Sequence, residues 1–94
     1  MSSAQPHSAK RGLEINAALE ALRGCAHYLK IAGMVARTRR ARGERVAKNI
    51  AASIRNGLQR HCSTCPHYGG HTDLFRRLDR GVWCTISYWI KNHG

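Results

Sequence analysis

Cys62 and Cys65 are separated by two residues, and Cys84 follows Cys65 with eighteen residues between them. No other feature constrains the fold of so short a chain as tightly. Zinc takes four donors at tetrahedral corners, each about 2.0–2.3 Å away. A Cys-x2-Cys step delivers two of them from one tight turn, and Pro66 and the Gly69-Gly70 pair suit such a turn. Cys84 is the natural third donor. His71 is the preferred fourth, giving Cys-x2-Cys-x5-His-x12-Cys. His67 would have to share a tight turn with Cys65, His93 would need the C-terminus to fold back, and His61 ranks behind both. The expectation is therefore one structural Zn2+ held by Cys62, Cys65, His71 and Cys84. Buried thiols are the plainer alternative. A redox dithiol or iron–sulfur ligation lacks the surrounding βαβ pattern. Cys25 lies on an apolar helical stripe and reads as a small core residue.

Such a tether matters because the chain has only 94 residues. Small domains bury a modest share of their surface and often lean on a metal, a disulfide or a partner. The 43% hydrophobic content supports a folded chain, but much of it is alanine, so the core should be thin. "MSSAQPHSAKRG" is polar and lacks the apolar core of a secretory signal, and "IAGMVA" is among the longest apolar runs. The expectation is no membrane association and a reducing location, cytoplasmic, or nuclear in a eukaryote, where cysteines read as metal ligands before disulfides.

Apolar periodicity divides the rest. Residues 1–11 read as a disordered lead, and 12–94 as a single zinc-stabilised domain with a basic helical part (12–60) and a Cys/His part (61–94). From Leu13 to about Ala36, Ile15, Leu19, Leu22, Ala26 and Leu29 recur at helical steps. "RTRRARGE" (37–44) reads as a turn or frayed helix end. A second stripe runs through Val46, Ile50, Ile54 and Leu58, so the two helices should form a hairpin. Thr72 and Asp73 look like the start of a short helix carrying Leu74, Phe75 and Leu78. The β-branched and aromatic alternation of "VWCTISYWI" (82–90) predicts a terminal strand. The expected fold class is thus small, α-rich α+β: a two-helix hairpin, a zinc knuckle, a short helix and a C-terminal strand.

Net charge is +11, and it is focused. Residues 37–60 carry eight basic groups against Glu44 alone, whereas each flanking segment carries four against two. Arginine is a planar, permanently charged donor suited to phosphate. Arg37, Arg39, Arg40, Arg42, Arg45, Lys48 and Arg55 are therefore the expected nucleic-acid contacts, DNA or RNA, with an acidic protein partner as the alternative. Catalysis is not expected. Only five acidic residues are present, and neither His-Glu-x-x-His nor the deaminase His-x-Glu precedes a Cys-x2-Cys. A basic helix joined to a Cys/His knuckle resembles, in general style, small viral and mobile-element regulators, without matching one family's motif.

Overall fold

The first helix stops at two consecutive left-handed residues, Arg23 and Gly24. In the computed structural model, which describes residues 6–70 and 72–93, α1 spans Pro6–Ala21. Arg23 takes φ 70° and Gly24 φ 90°. Arg23 N donates to Glu20 O and Gly24 N to Leu19 O, the paired bonds of a left-handed helix stop. A short strand, β1 (Cys25–His27), leads into α2 (Tyr28–Ala41), whose first turn is capped by the His27 ring accepting from Leu29 N. The same stop ends α2: Gly43 N reaches Arg40 O and Glu44 N reaches Arg39 O, with Gly43 at φ 76°. The expected single helix over 13–36 is thus two helices with a strand between them. α1 begins at Pro6, within the segment read as a disordered lead, and the stretch read as a turn or frayed helix end holds the last turn of α2, with Arg42 as its cap.

Beyond an irregular segment come α3 (Ile50–Arg60), β2 (Phe75–Asp79), β3 (Val82–Thr85) and α4 (Ile86–His93). The strands form an antiparallel sheet in the order β1-β3-β2. Two expectations are corrected here. The short helix after Thr72 is strand β2, because Phe75, Arg76 and Arg77 pair with Thr85, Cys84 and Trp83. The expected strand over 82–90 is a strand only to Thr85. Thr85 Oγ1 then accepts from Tyr88 N at 3.1 Å, capping α4. The described residues form a small α+β fold of four helices and one three-stranded antiparallel sheet. No helix among them is long and apolar enough to cross a membrane.

One apolar cluster holds the layers together: Ile15 and Leu19 from α1, Ile31 and Val35 from α2, Ile54 and Leu58 from α3, with Phe75 and Trp83 from the sheet. Ile15, Leu19, Ile54 and Leu58 lie on the helical stripes read from periodicity, Ile31 does not, and burying each large side chain contributes roughly 1.5–3 kcal/mol. Leu29, predicted on the stripe, is exposed, since the new helix starting at Tyr28 resets the phase.

A bidentate ion pair clamps α1 to α2. Arg39 Nε donates to Glu14 Oε2 at 2.8 Å and Nη2 to Oε1 at 2.6 Å, with both side chains largely shielded. The Arg39 hydrogen bonds hold the Glu14 carboxyl below its ordinary range, against the opposing effect of burial. A carboxylate whose folded pKa is depressed stabilises the fold above its unfolded pKa, and that contribution disappears as pH falls through the folded value. Glu14→Gln should therefore cost about 1 kcal/mol at pH 7. It should also flatten the loss of stability on acidification below about pH 5. Urea melts of both proteins from pH 7 to pH 3 check this. Parallel curves for the two proteins would assign the pair no role.

Candidate functional site

The basic segment and the cysteine-rich segment occupy different parts of the fold. Arg37 and Arg40 are exposed on α2, and Lys30, seven residues before Arg37, shares their outer face. Arg42, Arg45 and Lys48 are exposed along the irregular segment, and Arg55 is exposed on α3. The Arg55 guanidinium lies over the Tyr28 ring, 5.9 Å from its centre. Arg42 bridges Glu44 at 2.9 Å and reaches Glu14 at 3.4 Å while staying half exposed. Among the described residues no carboxylate pairs with Arg37, Arg40, Arg45, Lys48 or Arg55. Arg39 differs from the others, because its guanidinium is engaged by Glu14. Lys30 was missed in the sequence because it lies outside the arginine run, although its helical spacing to Arg37 and Arg40 was legible.

Between α1 and the C-terminal half of α2 lies an open groove of about 520 Å³. Ala17, Ala18, Met34 and Val35 contribute apolar surface, and Arg11 and Arg45 line it as well.

The cysteine-rich turn is fastened to the sheet from several sides. Cys65 N donates to Cys62 O at 3.0 Å, closing a turn that brings the two thiols into contact. The His61 carbonyl accepts from Leu74 N and Phe75 N, and Gly69 N donates to Arg60 O. Asp73 accepts from Ser63 N (2.9 Å) and Ser63 Oγ (2.8 Å), and from both terminal nitrogens of Arg76 at 2.8 and 3.0 Å. Its role is to staple the turn to β2, not to start a helix. The Arg76 guanidinium, helped by Ser63, pulls the Asp73 pKa down to about 2.

The cysteines form two neighbouring pairs. Cys62 and Cys65 make one, and the strand register makes the other by setting Cys25 opposite Cys84. Cys25 is therefore a half-buried strand residue, where the sequence had suggested a helix face. Cys84 is fully buried yet stands outside the main apolar cluster, and its thiol meets Arg76 O at 3.5 Å. Burial, then Cys25 and Cys62, push the Cys84 thiol up to about 11; burial and the Cys62 contact push Cys65 up to about 12. Burial therefore favours the neutral thiol at Cys65 and Cys84.

The expected histidine donors fare differently. His71 lies outside the described residues, as does the His93 side chain. His67 is exposed. His61 is 2% exposed, with Nδ1 at 3.1 Å from Thr72 O, its ring edge-on to Phe75, and Gly12 of α1 close against it. That ring is committed to the core. Among the described residues, no group of three or more His, Cys, Asp or Glu side chains stands at metal-binding geometry. The small α+β class is observed, and the zinc knuckle within it is a proposal. No family model, curated protein or solved structure matches this chain.

Proposed function

We propose that this protein binds nucleic acid mainly through its phosphates, using the outer face of α2, the 42–49 segment and the exposed side of α3. The cysteine-rich half serves as a structural zinc module, with Cys62, Cys65 and Cys84 among the ligands. One observation carries the nucleic-acid reading: six cations of the central segment, Arg37, Arg40, Arg45, Lys48, Arg55 and Arg60, are exposed and have no carboxylate partner among the described residues. Unpaired exposed arginines create a positive field that attracts phosphate, and each contact gains from counterion release. The proposed activity is binding. Fluorescence anisotropy with labelled duplex and single-stranded oligonucleotides at low salt tests the proposal. Binding of either probe supports it, and no binding to any of them refutes it.

The groove between α1 and α2 favours a second reading, a regulator that docks on an acidic protein. An apolar floor flanked by Arg11 and Arg45 would suit an amphipathic acidic segment. Under that reading the oligonucleotides fail, and Ala17→Glu at the groove weakens capture of the partner.

A further inference from the structure

We propose that Cys25 completes the zinc site, so that the metal is held by four thiolates: Cys25, Cys62, Cys65 and Cys84. This inference rests on the structural-zinc reading above and replaces the histidine expected as fourth ligand.

The strand pairing carries it. Thr85 N donates to Gly24 O at 2.9 Å and Tyr28 N to Gly81 O at 2.8 Å, bracketing the β1–β3 ladder. Between these bonds the alternation of an antiparallel pair puts Cys25 and Cys84 at a non-hydrogen-bonded position. Directly opposite side chains there share one face and approach most closely, with Cα atoms about 4.5 Å apart. Two sulfurs on one tetrahedral zinc stand about 3.8 Å apart, given Zn–S bonds near 2.3 Å. A cross-strand cysteine pair spans that gap by side-chain rotation alone. The Cys62–Cys65 turn is the second half-site, and its thiols are already in contact.

The two halves adjoin each other. Arg76 pairs with Cys84 across β2 and β3, and its guanidinium also contacts Cys62. Asp73 fixes that guanidinium and, through Ser63, the turn carrying Cys62. Among the described residues no three His, Cys, Asp or Glu side chains stand at metal-holding geometry, so binding requires the two pairs to close on the metal within the observed strand pairing. Zinc with four thiolates carries a net charge of −2, and Arg76 and Arg77 beside the thiols offset it. As the metal binds, the four thiol protons leave for solvent, so affinity rises with pH. Of the histidines described with their side chains near this turn, His61 is held in the core and His67 is exposed.

The test uses the full chain purified with zinc present, analysed by native mass spectrometry and by cobalt substitution. One metal per chain is expected, with sulfur-to-cobalt charge-transfer absorption of four-thiolate intensity. Cys25→Ser should lose at least tenfold in metal affinity, as Cys62→Ser should. Cys25→His should recover binding with a three-thiolate spectrum, which separates ligation from loss of packing. Should Cys25→Ser keep its zinc while His71→Ala loses it, this inference falls and the zinc reading stands. A metal-free chain two hydrogens lighter, with Cys25 and Cys84 joined in one peptide pair, overturns both, as does a metal-free reduced chain.

Discussion

Affinity for duplex DNA should fall about 10²-fold between 50 and 200 mM salt, because each neutralised phosphate adds roughly −0.9 to the slope of log affinity on log salt. Arg37, Arg40, Arg42, Arg45, Lys48, Arg55 and Arg60 are the exposed cations of the central segment. Engaging about 4–5 phosphates gives a slope of about −4. Replacing Arg37, Arg40 and Arg45 with alanine should flatten that slope by about 2–3. Arg39→Ala should behave differently despite its place in the same run, since Glu14 holds its guanidinium. It should lower stability while leaving the slope within about one of the parent value. Equal flattening by Arg39→Ala would show that the ion pair opens on binding. A slope near zero in the parent protein would remove this surface from the account.

Phe75→Ala should cost about 3–5 kcal/mol, a large part of the roughly 5–10 kcal/mol expected for a domain of this size. Phe75 is fully buried, packs edge-on against the His61 ring at 6.3 Å, and joins the sheet to the helical core. Its own N–H donates to His61 O, so loosening it also loosens the cysteine-rich turn. Leu13→Ala, on a side chain 65% exposed, should change stability by less than about 0.5 kcal/mol. Urea denaturation of the two variants gives both numbers. A cost under about 1 kcal/mol at Phe75 would mean that the sheet and helices do not share one core.

The helical stripes were legible because a period of 3.6 residues is a local property. Ile15 and Leu19, and Ile54 and Leu58, announced their buried faces without reference to any other segment, and all four are fully buried. The concentration of charge was equally plain, since composition needs no fold. What the sequence left open was which residues pair across long distances. Leu74, Phe75 and Leu78 satisfy a helical face as well as a strand, and the ladder to β3 decides for the strand. The alternation through Ile86, Tyr88 and Ile90 satisfies a strand, but the Thr85 cap makes those residues a helix. Cys25 fits the apolar stripe of a helix that the left-handed pair Arg23 and Gly24 has already ended. Its position opposite Cys84, 59 residues later, comes from strand register alone. Local periodicity and charge are written into adjacent residues, whereas register is a choice among distant partners that burial of the whole core settles.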